Sequence, residues 1–181
     1  MCDVFSLYRE SKKKYLNSYQ NSIRDPLTQL YNRSYFYDTL AAQLEKTPVS
    51  RSLSVIVGDL DFFKRINDNY GHLQGDNVIQ FAASVLQKNV RPQDIAARIG
   101  GEEFALLLLN THTHDAHTVA ERIRLAMSEP QENLPEKMTL SAGVFSTTDG
   151  TLCVEECVRR ADAAMYEAKK GGRNRVVIWH E

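Results

Sequence analysis

Cysteine is scarce in this chain: three residues in 181, Cys2, Cys153 and Cys157. The count is odd, and the spacing fits neither a disulfide framework nor a metal-binding set. That pattern points to a reducing, cytoplasmic setting. Cys153 and Cys157 stand four apart on one face of an expected helix, where a thiol ordinarily packs. An excess of one charge is missing too. Lys and Arg number 22 against 23 Asp and Glu, a net charge of −1. No broad basic field exists to hold a nucleic acid or an anionic membrane, so any phosphate binding must be local. No apolar run approaches the roughly 20 residues of a membrane helix. The first 20 residues are studded with charge rather than built as a signal peptide, although a longer, membrane-anchored parent stays compatible with the sequence. There is no internal repeat and no low-complexity stretch.

What is present suffices for one domain and an appendage: 43% of the residues are hydrophobic and 25% charged. Residues 3–23 read as a helix on which Phe5, Tyr8, Lys12, Tyr15, Tyr19 and Ser22 follow a 3/4 spacing. Such a stripe either lies on its own domain or pairs with another helix as a dimerising or signal-relaying element. Arg24-Asp25-Pro26 ends it, because proline lacks an N–H and restricts the residue before it. The expected division is a linker or signalling helix over 1–23 and a globular domain over 24–181.

Within that domain a helix is expected over about 33–46, capped by Asn32 or Ser34, with Tyr35, Phe36, Leu40 and Leu44 as its apolar face. Leu53-Ser54-Val55-Ile56-Val57 reads as a buried strand running into Gly58-Asp59-Leu60-Asp61. A short helical turn over 62–68 and a Gly-rich link, Tyr70 to Gly75, lead to a helix from Asp76 to Asn89. Asp94–Ile99 and Phe104–Leu109 flank Gly100-Gly101 as a hairpin, with the glycines supplying the positive φ of a tight turn. A helix over 113–128, a strand over 138–145, a helix over 152–170 and a strand over 175–179 complete the chain. Helices alternating with strands, some in hairpins, predict an α+β fold: a mixed sheet flanked by helices.

Three groups of residues carry chemistry. Asp59 and Asp61 lie where an apolar strand leaves the core, two apart and so expected on one side. With Glu102 and Glu103 on the neighbouring hairpin they make a hard oxygen cage suited to Mg²⁺, which is often shared with substrate phosphates. Read singly, each pair is also an ordinary solvated strand end or turn. Phosphate donors come from the backbone N–H groups of Phe62 and Phe63 with Lys64, at a helix start, and from Lys169 with Arg173. A lysine and an arginine where a helix runs out are also a plain dipole match. Asn67 and Asp76 bracket the glycine link. They are read either as turn and cap residues or as readers of a base edge, since a carboxylate can accept from guanine N1–H and N2–H. His112, His114 and His117 gather at a helix start without further ligands, as on a solvated surface.

Asp59-Leu60-Asp61-Phe62-Phe63-Lys64-Arg65-Ile66-Asn67-Asp68, Gly71-His72, Gly75-Asp76 and Arg98-Ile99-Gly100-Gly101-Glu102-Glu103-Phe104 together resemble the GGDEF family of diguanylate cyclases. Asp25-Pro26-Leu27-Thr28 through Arg33 resembles that family's opening signature. Ser141-Ala142-Gly143, Ala161-Asp162, Met165-Tyr166, Ala168-Lys169 and Gly172-Arg173-Asn174 resemble its closing ones. The likeness runs over about residues 24–180. It implies a palm-like (ferredoxin-like, nucleotidyl-cyclase) core and the condensation of two GTP into cyclic di-GMP with release of two pyrophosphates. Carried over by position, Asp59, Glu102 and the Leu60 carbonyl would hold Mg²⁺, with Mn²⁺ as a substitute ion. Glu103 would assist the metal or activate the ribose 3′-hydroxyl. Lys64, Lys169, Arg173 and the Phe62 and Phe63 amides would bind phosphates, and Asn67 and Asp76 would read guanine. One site holds one GTP, so a homodimer is implied and a monomer should be inactive. Nine residues before the turn, Arg91-Pro92-Gln93-Asp94 resembles the family's Arg-x-x-Asp inhibitory site for the product, with Arg122 as an added contact.

Departures from the family pattern are Gly58, where a larger residue would pack the strand better, and Ser34, where an arginine is frequent. Neither falls on a metal or phosphate position. Three readings follow: an active, product-inhibited cyclase; a non-catalytic module that binds GTP or cyclic di-GMP as a receptor; and a cyclase with relaxed base preference. The input, through an upstream sensory domain, is not written in these residues.

Overall fold

The computed structural model describes residues 4–46 and 51–180. Six strands form one mixed sheet in the order β1-β3-β4-β2-β5-β6. The strands are β1 (Tyr31–Asn32), β2 (Leu53–Leu60), β3 (Ile95–Arg98), β4 (Glu103–Leu109), β5 (Leu140–Thr147) and β6 (Val176–Ile178). The centre is antiparallel, β2 lying between β4 and β5, while both edges pair parallel, β1 on β3 and β6 on β5. The helices are α1 (Val4–Ile23), α2 (Arg33–Lys46), α3 (Phe63–Tyr70), α4 (His72–Asn89), α5 (Thr113–Met127) and α6 (Val154–Lys170).

Strand periodicity divides the core into two layers. Ile56, Leu106, Leu108, Leu140 and Val144 turn to one face and meet α3, α4 and α5 through Ile66, Val78, Ile79, Ala82 and Ile123. Val55, Val57, Ala105, Leu107 and Phe145 turn to the other and meet α2 and α6 through Phe36, Leu40, Leu44, Ala161 and Met165. Alternation at period two is what sorts them. Each large apolar side chain buried this way contributes about 1.5–3 kcal/mol. At Gly143 the backbone of α6 comes down onto β5. An added Cβ would stand 2.0 Å from the Ala161 carbonyl oxygen and 2.3 Å from the Met165 nitrogen.

The expected α+β architecture is present, with differences at its joints. β1 is two residues long, too short for a hydrophobic period, and was not foreseen. The Gly-rich link before Asp76 is helical from His72 onward. Gly75 lies inside α4 for want of space: a Cβ there would stand 2.0 Å from Asn67 Oδ1. Only Gly71, at φ 81°, uses the freedom of a glycine in that stretch. Asn32, not Ser34, caps α2, its Oδ1 accepting from the Tyr35 N–H at 3.0 Å. From Tyr8 to Ser22 every side chain of α1 is exposed, so this helix does not lie along its own domain. It is fastened at its last turn, where Asn32 Nδ2 donates to the Ser22 carbonyl at 2.7 Å. Phe5 of the expected stripe lies outside the described side chains. No helix among the described residues is long and apolar enough to cross a membrane.

Candidate active site

Asp59 is in phase with Val55 and Val57, so it projects to the α6 side of the sheet. Its Cα partner on β4 is Glu103, itself in phase with Ala105 and Leu107. The two carboxylates are therefore cross-strand neighbours on one face. Glu102 precedes β4 in the turn, where its carbonyl accepts from the Leu60 N–H at 3.2 Å. α6 brings Lys169 onto this group, Nζ lying 2.9 Å from Asp59 Oδ1.

The electrostatics are those of too many acids for one base. Burial raises the Asp59 carboxyl above its ordinary range, Lys169 opposes the rise, and the charges of Glu103 and Asp61 add to it. Glu102 is raised by burial and by Asp59, with Lys169 pulling the other way. Asp59 and Glu102 bring hard carboxylate oxygens together here, a chemistry that suits Mg²⁺ completed by water and phosphate oxygens. Among the described residues no three acidic, histidine or cysteine side chains converge into a closed cage. A cation that shares its coordination with a substrate needs no such closure.

Asp61 does not join the cage. It is 4% exposed, and its oxygens accept from Thr139 Oγ1 at 2.8 Å, Ser141 Oγ at 2.7 Å and the Asn174 N–H at 3.0 Å. Three donors spend its charge on holding the loop after α6. The hairpin glycines also act otherwise than expected. Neither Gly100 nor Gly101 has positive φ. Gly100 gives room to Glu103, whose Oε2 would stand 2.2 Å from a Cβ there. The turn is braced by Arg98, which donates to the Gly101 carbonyl at 2.7 Å and pairs with Asp25 at 3.4 Å. Asp25 also accepts from the Thr28 N–H and Oγ1. Sequence reasoning noted Asp25 and Arg98 as parts of motifs but gave them no task; an acid directly before the opening Pro26 was the available sign.

The phosphate candidates gather at the same end of the sheet. Phe62 and Phe63 open α3, whose first N–H groups have no intrahelical partner. Arg173 stands over the Phe62 ring at 4.6 Å, and Lys64 is exposed on α3. Asn67 Oδ1 is buried without a hydrogen-bond partner, beside Gly75 and the exposed Asp76. A buried acceptor with no donor is costly to leave so, and a donor-rich edge of a ligand would satisfy it.

Arg91, Asp94 and Arg122 meet elsewhere, on the lining of a cavity of about 180 Å³ shared with Asn89, Asp115 and Thr118. Asp94 is buried, and its two oxygens accept from the Arg91 and Leu109 N–H groups at 3.1 and 3.2 Å. Arg122 is held by Asn89, through Oδ1 at 2.9 Å and the carbonyl at 2.6 Å. The Arg91 guanidinium is exposed and has no partner among the described residues.

A helix-flanked mixed sheet with acids on its two central strands is the architecture of a palm-like nucleotidyl cyclase domain. The sequence profile described as "Diguanylate cyclase, GGDEF domain" matches residues 22–175, and the chain belongs to that family. It is 41% identical over 186 residues to the probable diguanylate cyclase DgcT of Escherichia coli (strain K12), covering 98% of this chain and 39% of that protein. A diguanylate cyclase of Vibrio cholerae is 40% identical, over 90% of this chain and 51% of its own length. The chain thus spans about two fifths to a half of these relatives. Among solved structures, the coiled coil and GGDEF domain of DgcB from Caulobacter crescentus, in complex with c-di-GMP, superposes with a TM-score of 0.87 at 31% identity. The match covers 96% of this chain and 94% of that one.

Proposed function

We propose that the domain is an active diguanylate cyclase that condenses two GTP into cyclic di-GMP and releases two pyrophosphates. The observation that carries the reading is the pairing of Asp59 with Glu103 across β2 and β4, with Lys169 2.9 Å from Asp59. Asp59, Glu102 and the Leu60 carbonyl would hold Mg²⁺, for which Mn²⁺ could substitute. Bound there, the ion lowers the pKa of the attacking hydroxyl and offsets charge on the leaving pyrophosphate. Glu103 takes the proton of the ribose 3′-hydroxyl as its oxygen attacks the α-phosphorus of the facing GTP. Lys169 leaves Asp59 and, with Arg173, Lys64 and the Phe62 and Phe63 amides, binds the terminal phosphates. Asn67 Oδ1 and the Asp76 carboxylate accept from the guanine N–H groups, which adenine does not present as a pair.

Each domain holds one GTP, so two must face each other, as a homodimer. α1 acts as a linker or signalling helix, and its pairing raises the effective concentration of the second site. The Arg91–Asp94 cavity, with Arg122, takes the product and limits synthesis. The expected setting is the cytoplasm, where GTP is found.

Purified protein incubated with GTP and Mg²⁺ should yield cyclic di-GMP. Glu102→Gln should lower the rate by at least about a hundredfold, as loss of a transition-state electrostatic contact does, while leaving the circular dichroism spectrum unchanged. GTP bound with no product, even at protein concentrations that enforce dimers, would instead make the domain a receptor.

A further inference from the structure

Phe62 has two unfavourable features at once. Its backbone is left-handed, with φ 59° and ψ 24°, a region that a bulky residue rarely adopts. Its side chain is also 55% exposed. A glycine or an asparagine would make the same turn at lower cost and put no apolar ring into water. The turn therefore does not account for a phenylalanine. Two cations stand over its ring: the Arg173 guanidinium at 4.6 Å from the centroid and that of Arg65 at 5.5 Å. Both fall within the roughly 6 Å reach of a cation–π contact.

The two arginines are held differently. Arg65 is paired with Glu136, which also accepts from Tyr70 Oη. Arg173 has no carboxylate partner among the described residues, and its guanidinium makes no hydrogen bond there. Its backbone lies in a run of three positive φ values, 113° at Gly172, 63° at Arg173 and 45° at Asn174. The Asn174 N–H donated to Asp61 fixes that run. Consecutive residues therefore hold the arm at two points: Asp61 by its backbone, Phe62 by its head. The same two residues lead directly into the free N–H groups of α3.

We propose that the Phe62 ring is a positioning platform that keeps Arg173 extended over the start of α3, ready for the terminal phosphates of the substrate. The proposal rests on the GTP reading above. An aromatic face is suited to this task in a way that a carboxylate is not. It attracts the guanidinium without neutralising it and leaves every N–H free to donate to phosphate. The arginine is ordered before the ligand arrives, and binding no longer bears the cost of immobilising it.

The test compares a triphosphate with a monophosphate. The probes are 3′-deoxy-GTP, which lacks the attacking hydroxyl, and GMP, each titrated calorimetrically with Mg²⁺ into the full chain. Phe62→Gly removes the ring and relieves the left-handed strain, so its melting temperature should equal or exceed that of the wild type. Its affinity for 3′-deoxy-GTP should nevertheless fall about three- to tenfold, with GMP changed by less than about twofold. Phe62→Tyr keeps a ring face and should restore triphosphate affinity to within about twofold of the wild type. Undiminished 3′-deoxy-GTP binding by Phe62→Gly, or equal losses for both nucleotides, would overturn the platform and leave the GTP reading standing. A wild-type chain that binds neither nucleotide would overturn both.

Discussion

Replacing Lys169 by methionine tests the centre of the site, because it removes one cation and keeps the aliphatic stem. In the wild type the ammonium lies 2.9 Å from Asp59 Oδ1, with the lysine side chain 29% and the aspartate side chain 9% exposed. At an effective dielectric constant of about 20, a pair at that distance attracts by roughly 6 kcal/mol. Desolvation of the two charges takes back most of this, leaving the net worth of a hydrogen bond between charged groups, about 1.5–3 kcal/mol. The variant leaves Asp59 buried beside Glu103 with no base, so a loss of about 2 kcal/mol is expected, or about 4–8 °C in Tm for a chain of this size. The second consequence has the opposite sign. Lysine and a divalent cation compete for the same carboxylate, and each 1.4 kcal/mol of competition removed is about a tenfold gain in affinity. Mg²⁺ without nucleotide should therefore raise the Tm of Lys169→Met by more than it raises that of the wild type. Adding 3′-deoxy-GTP should reverse the order, since the variant has lost a phosphate ligand. Melting curves in EDTA, in Mg²⁺ and in Mg²⁺ with the nucleotide give all three comparisons. Equal Mg²⁺ shifts in the two proteins, or equal stability in EDTA, would refute the reasoning.

Gly143→Ala should destabilise the fold by about 3 kcal/mol, at the upper end for overpacking, because the new Cβ meets backbone atoms of α6 that no rotamer change can move; an unchanged denaturation midpoint would contradict the close approach. Arg91→Ala should weaken inhibition by cyclic di-GMP about tenfold or more, the loss of a charge-assisted contact, with stability unaltered. Asp94→Ala should instead lower stability by about 1–3 kcal/mol, since it leaves the Arg91 and Leu109 N–H groups unpaired. At Asp25, burial pushes the carboxyl up, but the Thr28 hydrogen bonds and Arg98 outweigh it and hold it below the ordinary aspartate range. A carboxyl depressed in the folded state adds stability above its unfolded pKa and loses it as pH falls through the folded value. The stability advantage of the wild type over Asp25→Asn should thus be constant near neutrality and vanish in strong acid; an advantage that persists there would be inconsistent with the ion pair.

Much of the site could be read from the chain because its chemistry is concentrated in short segments. Asp59 follows a run of apolar residues that can only be a buried strand. Glu102 and Glu103 follow two glycines, and Lys169 and Arg173 bracket a helix end. Other parts escaped for physical reasons. β1 has two residues, and no hydrophobic period exists over two positions. The helix from His72 contains Gly75, which local propensity reads as a link; the pressure for glycine comes from Asn67, eight residues earlier in the chain but in contact in space. Asp61 looked like a second metal ligand because alternation put it beside Asp59, and its three donors come from β5, the residue before it and the loop after α6, which no local pattern announces.

The sequence by itself determined the order of helices and strands apart from β1, the two faces of the sheet through alternation at period two, and the family. Those follow from local propensity, periodicity and motif spacing, all short-range properties of the chain. The tertiary structure alone decided which acids lie together. Asp59 and Glu103 are neighbours because β2 and β4 pair in that register, and Asp59 meets Lys169 because α6 crosses that face. Gly100 exists to make room for a carboxylate, and Phe62 faces Arg173 across more than a hundred residues of chain. Such relations depend on register and on the distance between elements, and these are fixed only when the whole sheet closes on its helices.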